Sequence, residues 1–110
     1  MKAVSGPTAD LRFWLRQAVL RGAAMPEISR FLGIVVSMYF NDHNPPHFHV
    51  RYEEHRAVVG IDPLELKEGS LPPRVLGLVI EWAKLHQNEL QSNWTALASE
   101  GTFTRIAPLV

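Results

Sequence analysis

Two adjacent prolines, Pro45 and Pro46, separate two apolar segments that have the composition of β-strands. The run before them, residues 33–40, is rich in β-branched and aromatic residues, and residues 48–52 resume the pattern. Neither proline has an N–H group to donate to a neighbouring strand, so regular pairing must stop between the two runs. The sequence therefore predicts two strands joined by a proline-containing loop.

Further elements are predicted on the carboxyl side of this loop. Residues 57–61 predict a third strand after a turn at 53–55, and residues 64–67 predict a short fourth strand. Ser70 is the predicted N-cap of a helix whose apolar face recurs at helical spacing, with Val75, Leu78, Val79, Trp82 and Leu85. The helical pattern continues to Leu97 with a break predicted near residues 87–93, and residues 103–106 predict a short edge strand.

The predicted fold class is α+β. We expect a small antiparallel β-meander of about three or four strands, packed against one or two carboxy-terminal helices. Residues 25–110 form the predicted single domain, which suits a chain of 110 residues with a hydrophobic fraction of 46%. Residues 1–24 are predicted to be a separate amino-terminal extension that forms a short helix or is partly disordered.

Composition excludes several classes of protein. No apolar stretch approaches the roughly 20 residues that cross a bilayer, so no membrane association is expected. The absence of cysteine excludes disulfides, thiolate metal sites and a cysteine nucleophile, and a cytoplasmic location is expected.

The net charge of zero is unevenly distributed. Residues 1–24 carry four Lys or Arg and one Asp, which gives +3, whereas the remaining seven basic and ten acidic residues give −3. Nucleic-acid-binding surfaces are usually basic, so the charge of residues 25–110 does not indicate a nucleic-acid partner. Residues 25–110 would have a basic surface suited to nucleic acid only if four arginines lay close together in the folded chain: Arg30, Arg51, Arg56 and Arg74.

The segment 41–50, NDHNPPHFHV, carries the distinctive chemistry. It holds three of the five histidines, His43, His47 and His49. Alternate side chains of a strand share a face, so two of these histidines should project together with Arg51 and Glu53. Phe48, Val50 and Tyr52 should then face the core. Because imidazole is a common ligand for zinc, iron and copper, the pattern predicts a candidate divalent-metal site formed by His43, His47, His49 and Glu53. Asp42 is an alternative carboxylate.

A simpler interpretation treats the same residues as a binding loop without metal. His47 and His49 are then outward polar positions of an amphipathic strand, and the asparagines are ordinary turn formers. A stiff loop that displays imidazoles and amides loses little entropy on docking, which favours this interpretation over a metal site. The predicted binding residues are Arg30, Asn41, Asp42, Asn44 and Arg51.

Two strings, 25–36 (MPEISRFLGIVV) and 38–50 (MYFNDHNPPHFHV), resemble the domain-of-unknown-function family 4160 of small prokaryotic proteins. Later positions, including Asn93 and Trp94, also match, so the resemblance covers residues 25–110. Members are often encoded beside a second small protein, and such pairs have been proposed as toxin–antitoxin-like modules. The resemblance therefore implies a protein partner, the neighbouring small gene product, more than a free-standing enzyme.

Three functions are consistent with the sequence. The leading hypothesis is an interaction or regulatory module of a toxin–antitoxin-like pair, with residues 41–50 as its recognition surface; a homo-oligomer is compatible with it. The second is a metal-dependent hydrolase or nuclease, in which Arg51 or Arg30 contacts a phosphate. The third is a DNA-binding repressor, which the charge of residues 25–110 does not favour.

Overall fold

The structure is a computed structural model that describes residues 25–40 and 42–110. In these residues five strands form one antiparallel sheet in sequence order, and two helices follow. The strands are β1 (Glu27–Phe31), β2 (Ile34–Ser37), β3 (His47–Tyr52), β4 (His55–Ile61) and β5 (Leu64–Gly69), and the helices are α1 (Pro73–Leu85) and α2 (Gln87–Ser99). The predicted α+β class is confirmed. The predicted extension, residues 1–24, lies outside the described residues. Among the described residues, no helix is long and apolar enough to cross a membrane.

The sheet contains one strand more than predicted, and that strand is β1. Its pairing register with β2 shifts between Glu27 and Ser29, so the alternation of polar and apolar residues that marks a strand is interrupted. The tight turn to β2 places Leu32 and Gly33 at positive φ, where glycine is favoured. The irregularity of β1 explains why the sequence pattern did not reveal it.

One face of the sheet packs against the helices and forms the core. Phe48 and Val50 of β3 are fully buried on this face and Tyr52 packs against it, which confirms the predicted alternation. The helices contribute apolar side chains that include Val75, Val79, Trp82, Leu90, Trp94 and Leu97. The indole N–H of Trp82 donates to the Ala107 carbonyl oxygen at 2.8 Å, so the largest buried side chain also has its polar atom satisfied.

The two helices begin and break at slightly different residues than predicted. Pro72 occupies the N-cap of α1 and Pro73 its first position, so the predicted cap at Ser70 is wrong. A proline at the first helical position needs no N–H partner, which explains this start. The break falls at His86, just before the predicted range, and α2 runs without interruption from Gln87.

Residues 103–106 do not form the predicted edge strand. The Ile106 N–H donates instead to the Ile28 carbonyl oxygen of β1 at 2.8 Å. The preceding residues are held by Asn93 of α2, whose amide donates to the Thr104 carbonyl oxygen and accepts from the Thr104 N–H, each at 2.8 Å. A side-chain amide therefore does what a neighbouring strand was expected to do.

We predict that Asn93→Ala lowers the free energy of unfolding by about 2 kcal/mol, because it leaves both backbone groups of Thr104 without their partner. Asn88→Ala is the matched control, since Asn88 lies exposed on the same helix, and should change stability by less than about 0.5 kcal/mol. Urea denaturation measures both values. Equal stability of the two variants would show that the two hydrogen bonds between Asn93 and the Thr104 backbone contribute nothing to the free energy of unfolding.

Candidate functional site

The first half of β3 carries two imidazoles on the sheet face opposite the core. His47 and His49 alternate with the core residues Phe48 and Val50, yet both histidines are themselves buried. The ring of Tyr39 packs edge-on against His49 with centroids 4.7 Å apart, and Trp94 lies 5.0 Å from His47. The interpretation of these histidines as exposed polar positions therefore does not match their environment.

Asp42 brings a carboxylate to both rings. Its Oδ2 atom lies 2.9 Å from His47 Nε2 and 3.5 Å from His49 Nε2. The three side chains are only 3–8% exposed. The loop between β2 and β3 folds back, so that Asp42 lies over the start of β3. The end of this loop is held against β4, because the Pro46 carbonyl oxygen accepts a hydrogen bond from the Ile61 N–H at 3.2 Å. One donor atom from each residue lies within 4.8 Å of the others, so the cluster has the size of a metal-ligand set.

The protonation of His47 follows from its second ring nitrogen. Nδ1 lies 2.7 Å from the Pro45 carbonyl oxygen, which only accepts hydrogen bonds, so Nδ1 carries a proton. In the neutral ring Nε2 then has a lone pair directed at the Asp42 carboxylate, and two lone pairs repel. The contact is favourable when a proton or a metal ion lies between the two atoms. A backbone carbonyl on the other ring nitrogen is also the usual outer partner of a metal-bound histidine.

Burial and hydrogen bonding set the charges of the cluster. Burial alone would raise the pKa of Asp42, but the hydrogen bonds and charges of His47 and His49 outweigh it and hold that pKa far below its usual range. Burial lowers the pKa of His49, and the hydrogen bond that its ring donates to Asp42 opposes this only in part. At neutral pH the site therefore contains an ionised carboxylate beside a neutral His49.

His43 lies at the solvent-exposed side of the cluster. Its Nδ1 atom is 3.0 Å from Asp42 Oδ1, its side chain is 59% exposed, and its ring centroid is 5.6 Å from that of His47. Asn44 is exposed next to it, and Asn41 falls outside the described residues. The structure thus brings three of the four residues predicted as metal ligands into one neighbourhood and places Asp42, the alternative carboxylate, at its centre.

Three other predicted residues lie away from this cluster. Glu53 is exposed in the turn after β3, at the opposite end of the strand from the histidines. Arg51 lies exposed near the same end. Arg30 is on β1, where its guanidinium forms an ion pair with Glu27 at 2.7 Å.

Sequence reasoning did not single out Glu68 of β5. The pairing registers place Ser37, His49, Val58 and Glu68 in one row across four strands, on the face that carries the histidines. Burial raises the pKa of Glu68, and His47 and His43 partly oppose the shift. No local signal marks this residue, because a register shift between Val58 and Val59 decides its position.

The fold and site define an α+β domain, a five-stranded meander with a buried His–Asp cluster at the start of its middle strand, where Trp94 of α2 contacts His47. Residues 33–95, more than half of the chain, match the family described as Domain of unknown function (DUF4160), and the chain belongs to that family. No curated protein and no solved structure matches the chain. The family membership confirms the resemblance seen in the sequence, and the matched region includes Asp42, His47 and His49.

We predict that Asp42→Asn lowers the free energy of unfolding by about 3 kcal/mol in chelator-containing buffer, because it breaks a buried charged hydrogen-bond network. Glu53→Gln makes the same acid-to-amide change at an exposed position and should alter stability by less than about 0.5 kcal/mol. Urea denaturation at pH 7 compares the two. An Asp42→Asn variant as stable as Glu53→Gln would contradict the assignment of Asp42 to the centre of the network.

Proposed function

We propose that the protein binds a divalent transition-metal ion through Asp42, His47 and His49. The observation that carries this proposal is the convergence of both Nε2 atoms on one oxygen of Asp42, at 2.9 and 3.5 Å, with His47 Nδ1 held by a carbonyl. Neighbouring donors on a tetrahedral ion with bonds of 2.0–2.1 Å are about 3.3–3.4 Å apart. The 3.5 Å contact of His49 is close to this spacing, and the 2.9 Å contact of His47 would lengthen by about 0.4 Å when an ion binds.

The chemistry of the donor set selects the class of metal. Two imidazoles and a carboxylate suit Zn²⁺, Fe²⁺ or a related transition metal, whereas Mg²⁺ and Ca²⁺ prefer oxygen ligands alone. Three protein ligands leave a coordination position for another group, unlike the four-ligand sites that only stabilise a fold. His43, on the exposed side of the cluster, is a further imidazole within reach of a small movement of the loop.

A proton on His47 Nε2 satisfies the same contact, so the two occupants must be separated by experiment. A buried imidazolium and carboxylate would make the cluster a structural ion pair and nothing more. A proton serves a single His–Asp contact, whereas an ion uses all three donors together. Metal affinity that depends on both histidines therefore distinguishes the two cases.

The test is calorimetric titration of chelator-treated protein with Zn²⁺ and with Co²⁺. We expect one ion per chain, and His47→Gln or His49→Gln should weaken binding by more than the roughly 10- to 100-fold that loss of an outer partner costs. His55→Gln is the matched control, because His55 lies half-buried at the far end of the β3–β4 hairpin, and should bind as the wild type does.

Two results would contradict this proposal. One is a wild-type protein that takes up neither ion. The other is binding that His47→Gln and His49→Gln leave intact, which would place the ion elsewhere in the chain.

The partner-binding role implied by the family is a second proposal, and the exposure of His43, Asn44 and Pro45 favours it. Among the described residues 42–50, burial of His47 and His49 leaves these three at the loop tip as the exposed positions. We expect the neighbouring small gene product to co-purify with the wild type and not with a His43→Ala/Asn44→Ala double variant. Retention of the complex by that variant would remove the loop tip from the interface.

The other two functions have less support in the described residues. Helices α1 and α2 are joined by the single residue His86, whereas a helix-turn-helix uses a turn of three or four residues. The described helices therefore do not favour a DNA-binding repressor. A hydrolase or nuclease would require that the metal bind first, so the titration above also decides whether that activity is worth assaying.

A further inference from the structure

Arginines from three strands lie in one row across the sheet. The pairing registers align Arg30 of β1 with Val35 of β2, Val35 with Arg51 of β3, and Arg51 with Arg56 of β4. Residues directly opposite each other in antiparallel strands project from the same face, so all three guanidinium groups leave the sheet on the side of the histidines. The row crosses β3 at Arg51, which lies between His49 and the β3–β4 turn.

Arg51 and Arg56 are adjacent like charges. Arg51 is exposed and forms no ion pair with any residue in 25–40 or 42–110, while Arg30 already pairs with Glu27, which Arg105 also contacts. Arg56 is half-buried, and its Nη1 donates to the carbonyl oxygens of Glu53 and His55, each at 3.1 Å. The two residues are directly paired across β3 and β4, and burial together with the charge of Arg51 lowers the pKa of Arg56.

We propose that Arg51 and Arg56 together bind one phosphate group. Like charges directly opposite each other in a sheet are destabilising, and a shared anion converts that repulsion into attraction. Guanidinium forks match the oxygens of phosphate in a bidentate manner. The turn carbonyls hold Arg56 in place in advance, so Arg51 is the group that has to be ordered when the anion binds.

The surroundings favour a single compact phosphate over a nucleic acid. Residues 25–110 have a net charge of −3, and exposed carboxylates of Glu53 and Glu54 lie in the adjoining turn. An extended polyanion would meet these carboxylates, whereas one phosphate group meets only the two arginines. The site is independent of the proposed metal centre, because neither arginine belongs to the His–Asp cluster.

Calorimetric titration with inorganic phosphate tests the site in the full-length protein without added metal. Arg51→Gln should weaken phosphate affinity by about tenfold, which is the typical loss for a charged hydrogen-bond donor. Arg74→Gln removes the same charge from an exposed position on α1 and should change the affinity by less than about twofold. His47→Gln should bind phosphate as the wild type does, so failure of the metal proposal leaves this result unaffected.

Thermal unfolding adds a readout that a purely structural role would not produce. At the same phosphate concentration the melting temperature of the wild type should rise more than that of Arg51→Gln, and Arg51→Gln should be at least as stable as the wild type without phosphate. Equal phosphate affinity in Arg51→Gln and wild type would overturn the proposal. Preference for a single-stranded oligonucleotide over inorganic phosphate would overturn it in favour of a nucleic-acid surface.

Discussion

The buried carboxylate of Asp42, set between two buried imidazoles, is the constraint on which the connection between β2 and β3 depends. An isolated carboxylate removed from water costs several kcal/mol, so it stays buried only where partners surround it. His47 and His49 provide those partners at 2.9 and 3.5 Å. The loop can reach them only by folding back over the start of β3, and hydrogen bonds at the carbonyls of Pro45 and Pro46 hold it there.

The middle strand β3 serves the core and the site at the same time. Phe48 and Val50 anchor it to the helices, while His47 and His49 project from its other face. Pairing with β2 and β4 on both sides restricts movement of the backbone that carries the histidines. A site built on a central strand is positioned more precisely than one built on a loop, and here only Asp42 and His43 come from a loop.

Part of this arrangement could be read from the sequence and part could not. The alternation in HFHVRY predicted which residues of β3 face the core, because period-two patterns determine faces directly. The same alternation put Glu53 on the histidine face, but a strand rises about 3.3 Å per residue, which leaves Glu53 roughly 13 Å from His49. Asp42 takes the central place through the return of a loop, and such a tertiary contact leaves no periodic signal.

Register was the other missing information. The convergence of Arg30, Arg51 and Arg56 was conceivable from the sequence, but only the pairing of four strands places them in one row. Irregularities within β1 and β5 likewise hid one strand and the position of Glu68. In both cases the missing information was the pairing register, the offset of one strand relative to its neighbour, which side-chain patterns specify weakly in short strands.

X-ray absorption spectroscopy of cobalt-loaded protein tests the central claim most directly, because it reports the atoms around the ion itself. The account predicts scattering from two imidazole rings and a carboxylate oxygen, with bonds near the roughly 2.0–2.2 Å typical of such ligands. It also predicts that His49→Gln removes one imidazole from that spectrum. A spectrum that shows only oxygen neighbours and no imidazole scattering would contradict the assignment of Asp42, His47 and His49 as a metal centre.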